Sequence, residues 1–398
     1  MWNAVEGLGT PWVLQGLWGL GSIFAVEMVR DSYHVASHLW PPLMRLHNWH
    51  HKVYRKDFTP ISSELYQKAQ LYNDVPESLV MMATMATVAI LTPLWGFWLG
   101  FLYGAGFLGA ALLRSQGLLK TTDLTHEPGP LTTPPSVWLV NRTYHWRHHF
   151  DETTAYYAGY FTVSDKLMGT ALSLKGKTVA VTGASGTLGR ALIKQLAAQG
   201  AKPLALTRSA DAVIEGAFKV VPWCTGQESD LKTVLNRVNI LVINHGINVY
   251  GDRSATAIAS SLEVNALSAW RLTEVFLETV DNRLGPATKE VWVNTSEAEV
   301  NPAFSPLYET SKRLLGDLIT LRRQNAPCVI RKLVLGPFKS KLNPVGVMSA
   351  DWVAGAIVGL AKRDIRNIIV TINPITYVLF PIKEMTQSVY FKLFSKGK

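Results

Sequence analysis

Nine of the ten histidines in this 398-residue chain lie before residue 150, and they are not scattered. They read His34-x3-His38, His47-x2-His50-His51 and His145-x2-His148-His149, with His126 between the second and third groups. Residues three or four apart share one face of a helix. Each group can therefore aim two or three imidazoles at one point. Neutral imidazole is a good ligand for iron, zinc or copper. Eight or nine imidazoles exceed the four positions of a tetrahedral zinc, which favours a two-metal site. Asp31, three residues before His34, is expected to cap a helix, although it could instead orient an imidazole.

A second set of reactive residues lies in the other half. The β-branched run Thr178–Val181 leads into Thr182-Gly183-Ala184-Ser185-Gly186-Thr187-Leu188-Gly189, followed by a helical pattern to Gln199. Glycines at a strand-to-helix turn allow positive φ and let a phosphate approach backbone N–H groups. Gly183, Ser185, Gly186, Thr187, Leu188 and Gly189 are the candidate cradle. Arg208 follows the next expected strand, where an acidic residue would suit the ribose of NAD and an arginine accommodates the 2′-phosphate of NADP. Asn244-His245-Gly246 follows the apolar run 240–243, Asn265 sits in a helical stretch, and Ser296 follows the run 291–294. Tyr308 and Lys312 are four apart on one helix face. A phenol with a pKa near ~10 is a poor acid/base at neutral pH unless a neighbouring ammonium stabilises its anion. Lys312 is placed to do that, and Ser296 to hold a carbonyl or alcohol oxygen.

These residues need two kinds of scaffold. Pro11–Met28 is nearly uncharged and about long enough for a bilayer core of ~30 Å. Its only charge is Glu27, near the inner end, where a carboxylate can reach headgroups or a cavity. Met1–Thr10 has Glu6 and no basic residue, so a retained anchor is expected rather than a cleaved signal. Ser78–Leu113 is too long for one straight span, and Pro93, Gly96 and Gly100 near its middle predict a hairpin of two helices. Two crossings between the second and third histidine groups return them to one face of the membrane. Lys52, Arg55, Lys56, Arg142 and Arg147 beside those groups put that face in the cytoplasm. Thr121–Ser136 reads as a Pro- and Thr-rich loop. From Lys175 the texture becomes short apolar runs alternating with amphipathic helices, as in a parallel α/β sheet.

The expected organisation is an all-α integral-membrane histidine domain over residues 1–165, a linker over 166–174, a doubly wound α/β domain over 175–372 and an amphipathic tail over 373–398. In that tail Tyr377, Phe380, Tyr390, Phe391 and Phe394 mix with Lys383, Lys392, Lys396 and Lys398, a composition suited to a membrane interface or to docking on the domain. The formal charge of +10 is uneven. Residues 1–174 carry 11 Lys+Arg against 12 Asp+Glu, and residues 175–398 carry 28 against 17. With an apolar first half and no base-stacking motif, the basic half points to a membrane surface and not to nucleic acid. Cys224 and Cys328 make no disulfide framework, which suits a reducing compartment.

The three histidine groups over residues 10–165 resemble the HX3H, HX2HH and HX2HH boxes of the fatty acid hydroxylase/sterol desaturase superfamily. The resemblance implies two iron ions held by His34, His38, His47, His50, His51, His145, His148 and His149, with His126 as a further ligand. It also implies O2 as co-substrate and hydroxylation or desaturation of a lipid. Residues 175–370 resemble the short-chain dehydrogenase/reductase family, with its Rossmann-like sheet and NADP(H). That resemblance implies Tyr308 as general acid/base, Ser296 as substrate-positioning, Lys312 as pKa-lowering and ribose-gripping, and Asn265 as proton-relay support. Asn244 and Gly246 take the place of its Asn-Asn-Ala-Gly, with His245 expected to pack, and Trp223 stands where many members carry an adenine-binding Asp. Together the resemblances imply a bifunctional oxidoreductase of a lipid or isoprenoid, with alcohol and carbonyl interconverted by the second domain and electrons for iron brought by a ferredoxin or cytochrome-like carrier. Two alternatives are an aldehyde- or hydrocarbon-forming protein like those of plant waxes, and a membrane-anchored nucleotide-binding scaffold with an inactive histidine domain.

Overall fold

In the computed structural model, residues 11–119, 124–281 and 283–396 are described. The expectations for Met1–Thr10, for the start of the loop at Thr121 and for Lys398 fall outside them. Of the described residues, those up to Pro130 together with Ser136–Thr170 form one compact unit, and Leu131–Pro135 with Ala171 onward form the other.

The first unit is helical: α1 (Pro11–Leu39), α2 (Pro41–Lys52), α3 (Ser63–Ala69), α4 (Val75–Leu91), α5 (Trp98–Ser115), α6 (Arg142–Phe150) and α7 (Val163–Met168). Three stretches, Trp12–Leu39, Ser63–Leu91 and Trp95–Ser115, are long and apolar enough to cross a membrane. The expected hairpin is present, turning between Leu91 and Trp98 at Pro93 and Gly96. Gln15 clasps α1 to that turn, its amide donating to Pro93 O at 3.0 Å and accepting from Gly96 N at 3.0 Å. A Cβ on Gly96 would lie 2.2 Å from Gln15 O, so only glycine lets the two segments come this close.

Two expectations, the end of the first helix and the role of Asp31, are corrected here. The first apolar helix does not end at Met28 but continues to Leu39, so His34 and His38 stand on its last turns. Asp31 is consequently mid-helix and caps nothing. It is buried and accepts from Gly159 N at 2.8 Å and from Ser164 Oγ. Of the two positions open to Glu27, headgroups or a cavity, it takes the inward one: it is fully buried and accepts from the Tyr103 hydroxyl.

The second unit carries seven parallel strands in the order β3-β2-β1-β4-β5-β6-β7. They are β1 (Thr178–Thr182), β2 (Lys202–Thr207), β3 (Lys219–Pro222), β4 (Ile240–Ile243), β5 (Glu290–Asn294), β6 (Val329–Leu335) and β7 (Asn367–Val370). The helices are α8 (Thr187–Ala198), α9 (Lys232–Leu235), α10 (Ala255–Leu262), α11 (Ser268–Leu277), α12 (Gly285–Thr288), α13 (Pro306–Arg322), α14 (Ala350–Lys362) and α15 (Thr376–Phe394). Side chains of parallel strands are buried on both faces, and two apolar layers result. Leu192, Ile193, Val353 and Ile357 cover one face, and Leu272, Phe276, Leu315 and Ile319 the other. The strand order reverses between β1 and β4, the position where doubly wound sheets open a crevice for ligands. The stretch 166–174, read from sequence as a linker, begins inside α7 and ends with Leu172 and Leu174 buried in the core of the sheet domain.

Candidate functional site

The nine histidines of the helical unit converge. His34, His38, His47, His51 and His148 form one group, and His50, His126, His145 and His149 a second, with the ligating nitrogens in each group all within 4.8 Å of one another. In the first group the second ring nitrogen of three members is tied down. His34 Nδ1 lies 2.7 Å from Tyr157 O, His148 Nδ1 2.8 Å from Ala155 O, and His47 Nδ1 2.7 Å from Asn73 Oδ1. Nδ1 must be the donor to a carbonyl or amide oxygen, which leaves a lone pair on each Nε2. Those Nε2 atoms approach to 3.1 Å (His34–His47) and 3.0 Å (His34–His148). In the second group the spacings are 2.9 Å (His126–His145), 3.2 Å (His126–His149) and 3.0 Å (His50–His149).

Lone pairs converging in this way repel one another unless a cation lies between them. Imidazole nitrogens at ~2.0–2.1 Å from one metal ion stand about 3.0–3.4 Å apart. The observed spacings therefore fit metal ligation. The imidazoles of His50, His148 and His149 are held well below their usual pKa by burial and then by neighbouring imidazoles, and burial brings His47 down to about 4. All four are thus neutral at physiological pH and able to ligate.

Supports that sequence reasoning missed account for this convergence. Asn73 lies in a π-helical turn, Gln70–Asp74, joining α3 to α4. Such turns are rare and concentrate at functional sites. The loop after α6 supplies the Tyr157 and Ala155 carbonyls, and Asp165 fixes that loop. Its carboxylate accepts from Tyr157 N at 2.9 Å, Ala158 N at 2.8 Å and Tyr144 Oη at 2.9 Å. Asp31 reaches the same loop through Gly159. A buried acid this far from any cation-binding motif carries no local sequence signal for such a role.

The sheet domain gathers the other set. Gly183 has φ +61°, and a Cβ there would sit 3.0 Å from His245 Cα. Gly186 opens α8 as its N-cap, followed by Thr187. A Cβ on Gly189 would come within 2.2 Å of Gly183 O. Gly189→Ala is expected to cost about 1–3 kcal/mol of this domain's stability by overpacking, read as a lower midpoint in thermal unfolding. Ser185 Oγ accepts from Thr207 Oγ1 at 3.1 Å, Leu188 is buried in the core so that only its backbone faces the turn, and Arg208 is exposed just past β2. Thr182 Oγ1 accepts from Asn244 N (2.8 Å) and lies 2.9 Å from His245 Nδ1, whose ring packs edge-on against Trp223. His245 thus packs, as expected. Burial, and then the Lys312 charge, hold it down to about 3.

Ser296, Tyr308, Lys312 and Asn265 are also brought together. Burial pushes the Tyr308 phenol up, and the neighbouring Ser296 hydroxyl acts in the opposite direction. Lys312 Nζ lies 5.9 Å from the centre of the Tyr308 ring and donates to Asn294 O at 2.9 Å. Asn294 in turn donates to Asn244 Oδ1 at 2.9 Å. The end of β5, the turn after β4 and α13 are thereby linked by one hydrogen-bonded chain. Burial brings Lys312 down to about 8 against the opposing charge of Glu299. Asn265 lies in a second π-helical turn, Glu263–Leu267, accepts from Ile247 N at 2.8 Å and donates to Ser311 Oγ at 3.1 Å. It braces Gly246, where a Cβ would lie 3.0 Å from Asn265 Oδ1.

Residues 179–323 match the NAD dependent epimerase/dehydratase family. Over 98% of its length the chain is 56% identical to the whole of the monoglucosyldiacylglycerol epimerase of Synechocystis sp.. It is 25% identical over 51% of its length to the ketoacyl reductase HetN of Nostoc sp., covering 82% of that protein. Among solved structures, an alcohol dehydrogenase from Thermococcus sibiricus complexed with 5-hydroxy-NADP aligns over 49% of this chain and 95% of its own, at 22% identity and a TM-score of 0.43. A short chain dehydrogenase from Burkholderia cenocepacia in complex with NADP aligns over 56% of this chain and 100% of its own, at 17% identity and a TM-score of 0.45.

Proposed function

Since this chain belongs to the same family as the monoglucosyldiacylglycerol epimerase of Synechocystis sp., we propose that it inverts one carbinol centre in the sugar headgroup of a monoglycosyl diacylglycerol, using NADP(H). The observation that carries this reading is the Ser296–Tyr308–Lys312 arrangement beside the glycine turn at 183–189, in a chain alike to that epimerase from end to end.

The cradle fits a dinucleotide. Gly183 and Gly189 let the turn and helix pack closely, and Gly186 caps α8 without a side chain, at a helix start where N–H groups and the helix dipole favour a pyrophosphate. Arg208 suits a 2′-phosphate. A bound nicotinamide supplies an acceptor, and then a donor, of the hydride on the carbinol carbon. Tyr308 takes the hydroxyl proton as the carbinol becomes a ketone and returns it when the opposite face is reduced. Ser296 holds the reacting oxygen throughout. Lys312 keeps positive charge beside the phenolate and can grip the ribose. Inversion leaves the sugar and the cofactor at their starting oxidation levels, so this half of the chain consumes no electrons. It acts on the membrane's own lipids, with both domains on the cytoplasmic face.

Proteoliposomes given monoglucosyldiacylglycerol deuterated at the inverted carbon, with NADP+ or NADPH, test the reading. The epimeric glycolipid is expected, with the deuterium still on carbon. Loss of the label to water would overturn the ketone route, and no epimer with either cofactor would overturn the activity.

A second reading is carried by the histidine centre, which headgroup inversion does not use. We propose that each imidazole group holds one metal ion, in keeping with the di-iron resemblance. Two irons there would supply O2-dependent hydroxylation or desaturation of a lipid, with electrons from a ferredoxin or cytochrome-like carrier. The chain's own part is to hold His34, His47 and His148 through Tyr157 O, Asn73 and Ala155 O.

A further inference from the structure

The polarity of α15 is inverted. Its inward stripe holds Thr376, Phe380, Glu384, Gln387 and Phe391, and the polar members of that stripe do the docking. Glu384 accepts from Lys332 Nζ at 2.7 Å and from Arg323 at 2.8 Å. Its neighbour Lys383 pairs with Glu299 at 2.7 Å and with Asp317 at 2.9 Å. The outward face is apolar. Val378, Ile382, Met385, Val389 and Leu393, spaced by three and four, form one row, with Met385 62% and Leu393 71% exposed. A helix of a soluble domain normally turns such a row to the core and its charges to water. Here both are reversed.

Two further observations identify what covers the row. Among the described residues from 376 to 396, the charged side chains left exposed are Lys392 and Lys396, both basic, since Lys383 and Glu384 are paired inward. The same chain also carries three helices long and apolar enough to cross a bilayer, so a lipid surface is always at hand. The buried ion pairs of the inward stripe must stay against the sheet domain, which makes α15 a helix lying in the membrane plane and not one that crosses.

We propose that α15 docks on an anionic bilayer surface through its Val378–Leu393 row, with Lys392 and Lys396 meeting lipid phosphates. The first residue of the helix ties the docked surface to the chemistry. Thr376 Oγ1 accepts from Asn301 Nδ2 at 2.8 Å and lies 3.0 Å from Glu297, the residue next to Ser296. Docking therefore holds the dehydrogenase site at headgroup level, where a glycolipid presents its sugar. This rests on the membrane-embedded, lipid-directed reading above.

The test uses the full chain with Cys224→Ser, in vesicles of phosphatidylcholine with or without phosphatidylglycerol. A fluorophore is attached at one introduced cysteine: Val389→Cys on the row, Ile90→Cys on the exposed face of α4, or Lys194→Cys on the exposed face of α8. The expected result is that probes at 389 and 90 are quenched by spin-labelled lipid and shielded from aqueous iodide, while the probe at 194 shows the reverse. Lys392→Gln with Lys396→Gln should lower the ratio of docked to undocked helix by about fivefold per charge removed. A probe at 389 open to iodide and unquenched by lipid, with the probe at 90 quenched, overturns the proposal and leaves the membrane reading standing. A probe at 389 shielded from both and cross-linking between chains overturns it in favour of a second copy. A probe at 90 that lipid does not quench removes the membrane reading and the proposal with it.

Discussion

Tyr308→Phe is expected to lower the rate of headgroup inversion by about 10²–10⁴-fold, the usual worth of a positioned acid/base. Affinity for NADP(H) should change little, because the turn at 183–189 is untouched. The reason for the size is the environment of the phenol. Burial pushes Tyr308 up, away from the form that accepts a proton, and the neighbouring Ser296 hydroxyl together with the nearby Lys312 charge offsets it. Removing the hydroxyl removes the group proposed to exchange a proton with the carbinol oxygen while Ser296 holds it.

Lys312→Met separates the electrostatic part from the rest. With the ammonium gone, the acid limb of the pH–rate profile should move to higher pH, since only the Ser296 hydroxyl then favours the tyrosinate against burial. Burial leaves Lys312 with a pKa of about 8, so in the parent protein its charge is fully present below that pH and fades above it. A lysine that only braced Asn294 through its hydrogen bond would change the rate without moving the profile.

Both residue clusters could be read from the sequence because their members sit at fixed short spacings on regular elements. Tyr308 and Lys312 are one turn apart on α13, and His47, His50 and His51 lie within one helix. The helical hairpin was legible for a similar reason: Pro93 and Gly96 interrupt an otherwise unbroken apolar run at its turn. Asp31 was misread because a cap and a mid-helix position differ only in where the helix stops. The uncharged span Pro11–Met28 with Asp31 as a cap beyond it implied a break, but the burial of Asp31 against Gly159 and Ser164 lets α1 run on to Leu39. The supports were not legible at all. Asn73, Asp165 and the Tyr157 carbonyl act across 26, 8 and 123 residues of sequence, and a π-helical turn leaves no composition signal. The inverted face of α15 also needed the structure, because the sequence gives a mixture of lysines and aromatics without saying which side is docked.

The histidine centre should show the second large effect, as metal content. One ion for each of the two imidazole groups is expected in protein purified from iron-replete cells, and His148→Ala with His149→Ala together should remove both. The single variants should differ. His149 belongs to the group of four, so its loss leaves three imidazoles, whereas His148 belongs to the group of five and its loss leaves four. His149→Ala is therefore expected to empty its site more completely than His148→Ala empties the other. Asn73→Ala tests the geometry without deleting a ligand. It frees the His47 ring, whose Nδ1 is 2.7 Å from Asn73 Oδ1, and should weaken metal binding by about 10–100-fold, the range for partners that orient a ligand. Elemental analysis and the optical or paramagnetic signature of the bound metal read all four variants. Circular dichroism reports whether the helices remain, which separates a lost ligand from a lost fold. Equal metal loss in the two single variants would argue that the nine imidazoles act as one undivided site. Metal-free parent protein would remove the oxygen-dependent reading and leave the epimerase proposal, with the histidine cluster in a structural role.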